Sequence, residues 1–150
     1  MLEVLVTAVL RLSHAALRTM SARGHGGIIN VSSVAAFLPR GSYSAAKAWV
    51  NSFSEWAANE YKGRGVTVMS LCPGFTKTEF QERNGLDSSK VPDRLWQLPD
   101  QVVGAALRDF DRRRSVCIPG ALNKAGAVFS SVLPMNLSRR VAGAVVKRSE

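Results

Sequence analysis

Three short apolar runs, each placed after a segment with helical spacing, restrict the fold of this chain more than any other feature. The runs occupy residues 28–31, 66–72 and 116–119, and glycine or proline borders each of them. Short continuous apolar runs of this kind are typical of parallel strands that are buried on both faces. Apolar residues recur at three- and four-residue steps over residues 2–20, 43–61 and 99–112. The alternation predicts an α/β fold with about three parallel strands and flanking helices.

The predicted helices have recognisable ends. The opening helix, residues 2–20, is expected to be long and mostly buried, and it stops at the glycine cluster of residues 24–27. Ser42 is expected to cap the second helix, and Pro99 suits the first turn of the third. Residues 75–90 mix charge, glycine and isolated aromatic residues, so we expect at most a short helix there.

Length and composition indicate an ordinary globular domain. The chain has 150 residues, and 46% of them are apolar, which is enough for one hydrophobic core. Glu3, Arg11 and His14 interrupt the apolar opening segment, so we predict neither a membrane span nor a signal peptide. Cys72 and Cys117 lie far apart without metal-ligand spacing. We therefore expect two buried free thiols, no metal site and a cytoplasmic protein.

The net charge of +9 raises the question of nucleic-acid or anionic membrane partners. The excess lies late in the chain, where Glu150 is the one acidic residue after position 111. The basic residues there are Arg112, Arg113, Arg114, Lys124, Arg139, Arg140, Lys147 and Arg148. We treat residues 123–150 as a basic helical tail of the same domain. Such a tail is usually a solvated face, with weak contact with a membrane surface as the alternative, and no motif predicts specific nucleic-acid binding.

Tyr43 and Lys47 lie four positions apart at the start of the second helix, so their side chains share one face. A phenol ordinarily ionises near pH 10, so proton exchange at neutral pH needs about 4 kcal/mol of stabilisation of the phenolate. A cation at ~4 Å supplies ~1 kcal/mol in water and ~4 kcal/mol where water is partly excluded. Ser33 adds a hydroxyl at the end of the preceding strand, where it can hold a carbonyl oxygen. The three groups suit proton delivery to an oxygen whose carbon gains a hydride, which only a cofactor can supply.

Three motifs in this order, IINVSS, YSAAK and SLCPGFTKT, resemble the central and later motifs of the short-chain dehydrogenase/reductase family. The resemblance covers about residues 1–120 and implies a partial Rossmann-like, doubly wound parallel sheet. It further implies an NAD(P)-dependent oxidoreductase, with NAD or NADP as the cofactor. The substrate would be a small molecule, either a carbonyl compound that is reduced or a secondary alcohol that is oxidised.

The resemblance also implies roles for individual residues. Tyr43 would be the catalytic acid/base, and Lys47 would make it more acidic, with both side chains beside the cofactor and Lys47 on the nicotinamide ribose. Ser33 would orient the carbonyl, although Ser32 competes for that role. The segment that would lie against the nicotinamide and pyrophosphate contains Pro73, Gly74, Thr76 and Thr78. Family members commonly dimerise through the two long helices, here residues 2–20 and 43–61.

Three features of the sequence depart from the family pattern. The glycine-rich phosphate loop, the ribose selector and the Asn-Asn-Ala-Gly strand are absent, because the chain begins at the helix that follows them. Leu5 stands where the family commonly has an asparagine, so a proton relay through Lys47 needs another water path. Ser33 precedes Tyr43 by fewer residues than is usual. The alternative interpretation is therefore a catalytically inactive remnant that acts as a dimerisation or interaction module, with an unpaired sheet edge at residues 28–31.

Overall fold

The computed structural model describes residues 1–39, 41–79 and 91–132. Its helices and strands alternate as the sequence predicts. In chain order they are α1 (Ala8–Arg23), β1 (Gly26–Val31), α2 (Gly41–Tyr61), β2 (Val66–Leu71), α3 (Pro99–Asp111), β3 (Val116–Cys117) and α4 (Ala121–Val132). A π-helical turn, Glu3–Thr7, leads into α1, and 3-10 turns occupy Val34–Phe37, Lys62–Arg64 and Asp93–Leu95.

The three strands form one parallel sheet in the order β1-β2-β3. β1 pairs with β2 along its whole length, from Gly26 opposite Val66 to Val31 opposite Leu71, whereas β3 contributes two residues. Within the described residues β1 has one strand neighbour, so its other edge is open, as predicted. The carboxyl ends of all three strands therefore meet at one side of the sheet, where ligands bind in open α/β proteins.

Helices pack on both faces of the sheet because successive side chains of β2 point in opposite directions. On one face Val66 and Val68 pack with Leu17 of α1 and Ala57 of α2. On the other face the core cluster consists of Met69, Leu71, Val102, Ala106 and Cys117. The doubly wound arrangement predicted from the sequence is thus confirmed, with α1 and α2 on one side and α3 on the other.

The opening helix is less buried than its apolar residues suggest, so the prediction of a mostly buried helix is wrong. Among the residues of α1 only Ser13 and Leu17 are buried. Leu12 is 73% exposed, and Val4 in the preceding π-turn is 70% exposed. Helical spacing identifies an apolar stripe but not what covers it, and the described part of the chain covers only a narrow line along this helix.

The cap predicted at Ser42 is also wrong. α2 begins one residue earlier, at Gly41, whose φ of +73° lies in the left-handed region that glycine adopts at little cost. Ser42 is thus inside the first turn of the helix and is exposed.

The basic tail predicted for residues 123–150 is described as helix only as far as Val132, and the rest of the tail lies outside the described residues. The same holds for residues 80–90.

Candidate active site

The loops after β1 and β2 are joined to each other at the carboxyl side of the sheet. The backbone N–H of Ser32 donates to the Leu71 carbonyl at 2.7 Å, and that of Val34 donates to the Pro73 carbonyl at 3.0 Å. A 3-10 turn, Val34–Phe37, then packs against α2. Main-chain bonds therefore place the serine pair, the start of α2 and the Pro73-Gly74 segment around one edge of the sheet.

Lys47 lies at the centre of this edge and is almost fully buried, with 8% of its surface exposed. Its Nζ donates a hydrogen bond to the Val31 carbonyl at 2.9 Å, which fixes the ammonium at the end of β1. Burial lowers the pKa of the Lys47 ammonium below its ordinary value, and the nearby Cys72 sulfur offsets part of that shift. A cation in such a place acts strongly on its neighbours because little water screens it.

Tyr43 is the aromatic neighbour of this cation. The Lys47 Nζ lies over the Tyr43 ring, 5.8 Å from its centroid, as the four-residue spacing on one helix predicts. Tyr43 itself is half-buried, so one part of the ring reaches solvent or a ligand. The structure therefore brings together the two groups that the sequence analysis pairs, with Lys47 almost fully buried and Tyr43 partly exposed.

The two serines differ in what their hydroxyls do. Ser32 is buried, and its Oγ donates to the Lys47 backbone carbonyl at 2.8 Å. Ser33 is half-buried, and its Oγ accepts a bond from the Ala35 backbone N–H at 3.1 Å. Accepting this bond leaves the hydroxyl hydrogen of Ser33 able to donate to a ligand. Ser33 is thus the serine suited to hold a carbonyl oxygen, whereas Ser32 anchors α2 to the sheet.

A polar cluster beneath the site was not foreseen in the sequence. The Oγ of Ser70 donates to Asn51 Oδ1, and the Cys72 thiol donates to the same oxygen at 3.2 Å. Burial raises the pKa of the Cys72 thiol, while bonds with Ser70, Asn51 and Ser32 act in the opposite direction. Cys72 is free and buried, as expected, and lies near Lys47. The only sequence signal was a serine and a cysteine in an otherwise apolar strand.

A second buried polar chain ties the helices to β1. Asn30 accepts a bond from the Ser13 hydroxyl of α1 at 3.1 Å and donates to the Ser54 hydroxyl of α2 at 3.0 Å. All three residues are buried. An amide inside a buried strand needs both partners, and this requirement fixes the position of α2 relative to β1. The asparagine within the apolar run of residues 28–31 was the signal that could have revealed this chain.

The segment after β2 contains the four residues assigned to the cofactor side. Pro73 and Gly74 follow Cys72, the first residue after β2, and the Thr76 Oγ1 donates to the Gly74 carbonyl at 3.2 Å. Thr78 is exposed. Phe75 packs its ring 5.6 Å from that of Trp96.

These groups fit one end of a nicotinamide nucleotide. A half-buried phenol, a buried ammonium and a hydroxyl with a donor to spare form a set suited to ribose hydroxyls and a carbonyl oxygen. The sequence carries no glycine-rich loop for the phosphates, so the fit concerns the nicotinamide side.

No helix in the described ranges is both long and apolar enough to cross a membrane.

Comparison with protein families matches residues 1–88 to the short chain dehydrogenase model. Among curated proteins, the 3-oxoacyl-acyl-carrier-protein reductase FabG of Escherichia coli is 35% identical over 108 residues, covering 70% of this chain and 43% of the relative. The FabG of Vibrio cholerae is 42% identical over 106 residues, covering 69% of this chain and 43% of the relative. The chain thus spans less than half the length of these relatives.

Solved structures show the same similarity in three dimensions. A short-chain dehydrogenase from Sphingobium yanoikuyae in complex with NADPH has a TM-score of 0.73 and 32% identity, covering 89% of this chain and 56% of that one. A 7beta-hydroxysteroid dehydrogenase has a TM-score of 0.83 and 25% identity, covering 95% of this chain and 57% of that one. The match therefore extends beyond the motifs to the arrangement of the elements.

Proposed function

The chain belongs to the short-chain dehydrogenase family, and on that premise we propose that it carries the proton-transfer centre of an NAD(P)-dependent oxidoreductase. The observation that carries the proposal is the buried Lys47 ammonium beside the Tyr43 ring. The substrate class is a carbonyl compound in one direction and a secondary alcohol in the other. The reductases among the relatives, and the NADPH bound to the Sphingobium yanoikuyae enzyme, support this class and cofactor.

In carbonyl reduction, the Tyr43 hydroxyl donates its proton to the substrate oxygen while the adjacent carbon gains a hydride. The Ser33 hydroxyl donates a hydrogen bond to the same oxygen and polarises the carbonyl. The Lys47 ammonium, fixed by the Val31 carbonyl, stabilises the phenolate that Tyr43 becomes. The nicotinamide cofactor supplies the hydride when it is bound.

The residues proposed to hold the cofactor are Tyr43 and Lys47 on the ribose side and the segment after β2 on the nicotinamide side. In that segment the residues proposed to contact the cofactor are Pro73, Gly74, Thr76 and Thr78. We regard residues 1–150 as corresponding to the catalytic half of a Rossmann-like domain. Because the chain lacks a glycine-rich phosphate loop of its own, affinity for the cofactor is expected to be low.

The test is a titration with NADPH and NADH followed by tryptophan fluorescence, together with NADPH-dependent reduction of a panel of ketones. Saturable binding, and turnover that the Tyr43→Phe variant lacks, support the proposal. The variant keeps the ring and loses only the hydroxyl, so it is a matched control. Absence of saturable binding at millimolar cofactor contradicts the proposal for this chain and favours the inactive remnant.

The remnant interpretation rests on the surfaces that the described residues leave open. β1 has a free edge, and the opening helical segment exposes four apolar side chains: Leu2, Val4, Leu10 and Leu12. Trp56 of α2 is 52% exposed. These surfaces support a homo-oligomer through helices 2–20 and 43–61, which light scattering tests in either interpretation. A Leu12→Glu variant is expected to shift the distribution of oligomeric states toward the monomer. A parent protein that is already a monodisperse monomer contradicts the proposed oligomer.

The remaining proposals concern location. Cys72 and Cys117 are both free and buried, which supports a cytoplasmic site because reduced thiols persist there. The alternative of weak membrane-surface contact concerns the basic residues after position 132, which lie outside the described residues. Sedimentation of the protein with anionic vesicles at low and high salt tests that contact, and recovery in the supernatant at both salt concentrations contradicts it.

A further inference from the structure

Gln97, which lies before α3, makes two main-chain hydrogen bonds with the segment after β2. The Gln97 backbone N–H donates to the Phe75 carbonyl at 2.9 Å, and the Lys77 N–H donates to the Gln97 carbonyl at 2.9 Å. Thr76 and Gln97 thereby form a parallel bridge outside the named strands. Gln97 therefore fixes the path of residues 75–77, in the middle of the proposed cofactor segment.

The side chain of Gln97 is fixed in turn by Asn123 of α4. The Asn123 Nδ2 donates one hydrogen bond to Gln97 Oε1 at 2.9 Å and another to the Pro119 carbonyl at 2.9 Å. Both hydrogens of the amide nitrogen are thus used. Asn123 thereby links residue 97, the end of β3 and the first turn of α4 in one cluster.

Two glycines allow these amides to approach the backbone. A Cβ built on Gly74 would lie 2.4 Å from the Asn123 Nδ2, which is closer than any real contact. A Cβ built on Gly120, where φ is +84°, would lie 2.8 Å from the Gln97 Nε2. The amide of Asn123 therefore packs directly on Gly74, one of the residues assigned to the cofactor.

We propose that Asn123 and Gln97 are positioning residues for the cofactor: their paired amides hold Gly74 and residues 75–77 where the nicotinamide is to bind. This inference rests on the proposed function. Neither side chain needs to touch the cofactor, because each acts through the backbone of the segment after β2. A mobile segment would have to become ordered when the ligand binds, which costs conformational entropy. A segment that is already held in place does not carry that cost.

The test replaces Asn123 with leucine, which has a similar size but no donor. Hydrogen exchange at the Lys77 and Gln97 amides should accelerate about 30-fold, since both hydrogen bonds of the Asn123 amide are lost. NADPH binding should weaken by about the same factor, with an increase in KM and little change in kcat where turnover is measurable. Gln97→Glu keeps an oxygen acceptor for Asn123 and should preserve both properties. Lys124→Ala, on the exposed side of the same turn, is the surface control.

The outcomes separate this inference from the proposed function. Unchanged exchange at the Lys77 and Gln97 amides in Asn123→Leu overturns the positioning role, whatever the cofactor does. Faster exchange with unaltered NADPH affinity overturns it too, because the segment is then ordered for another reason. A parent chain that binds no NADPH overturns the proposed function, and with it the role in cofactor binding, while exchange still shows whether the amides hold the segment.

Discussion

Replacing Gly74 with alanine tests the packing of Asn123 on the segment after β2. The backbone of Gly74 does not lie in the positive-φ range, so alanine is conformationally acceptable and the effect is steric. The new Cβ would meet the Asn123 side chain at 2.4, 2.6 and 2.7 Å. The amide can withdraw only by breaking its bonds to Gln97 and Pro119, each of which contributes roughly 1 kcal/mol.

The expected net change combines two opposing effects. Loss of both bonds costs about 2 kcal/mol, whereas replacing glycine by alanine stabilises by about 0.4–1 kcal/mol through the unfolded chain. Gly74→Ala should therefore lower the free energy of unfolding by about 1–2 kcal/mol. Urea denaturation followed by tryptophan fluorescence measures it. Gly63→Ala is the matched control, because a Cβ there meets nothing within 4 Å, and it should be neutral or slightly stabilising.

A double-mutant cycle decides whether Asn123 is the cause. In an Asn123→Ala background the space above Gly74 is vacant, so the further change of Gly74 to alanine should stabilise the protein by about 0.4–1 kcal/mol. The coupling energy between the two positions should be about 2 kcal/mol. Equal costs of Gly74→Ala in both backgrounds would refute the reasoning, since the clash would then have another origin.

Three other predictions concern the titrating groups. Tyr43→Phe should reduce carbonyl reduction by roughly 100-fold or more while leaving the urea midpoint nearly unchanged, since general acid catalysis contributes about that much. Lys47 contributes a rise in unfolding free energy as pH approaches 10.5, because the folded ammonium, with its lowered pKa, releases its proton before the unfolded one. The stability difference between the parent and Lys47→Met should therefore grow in the parent's favour with pH, and parallel pH curves would contradict this. Burial, and to a smaller extent Asp109, raises the pKa of Cys117 to about 12, so Cys117 should contribute a loss of roughly 1.4 kcal/mol per pH unit above pH 9 as the unfolded thiol ionises first. Cys117→Val should remove that loss, and an unaltered alkaline slope in denaturation curves would contradict the assignment.

The strands were predictable from sequence because each is a short apolar run bordered by residues that turn the chain. Residues 28–31 and 66–72 fall within one or two residues of β1 and β2. The third run was predicted over residues 116–119, but only Val116–Cys117 pairs with β2. Pro119 lacks the N–H that a longer ladder would use. Apolar content thus located the strand, while its length depended on the neighbour.

The pairing of Tyr43 with Lys47 was predictable because both lie on one helix, where spacing alone fixes which side chains meet. The contacts of Asn123 were not, since Gln97 is 26 residues away in sequence and joins it only through the folded loops. A glycine at position 74 is compatible with a turn, a bulge or a close approach, and sequence does not distinguish them. Local geometry was therefore accessible, whereas tertiary polar contacts were not.

Two sets of contacts hold the proposed site, one around the Lys47 ammonium and one around the segment after β2. Lys47 is anchored by the Val31 carbonyl, and Ser32 holds the backbone of Lys47, so the end of β1, the residue after it and α2 hold the ammonium. The segment of the proposed nicotinamide contact depends on different elements, β2, β3 and α4, joined by Asn123 and Gln97. Substitutions in the first set should therefore alter proton transfer and the proposed contact with the ribose, and those in the second should alter the proposed contact with the nicotinamide. Because β1 pairs with β2 and the Val34 N–H donates to the Pro73 carbonyl, substitutions in the two sets should couple rather than simply add.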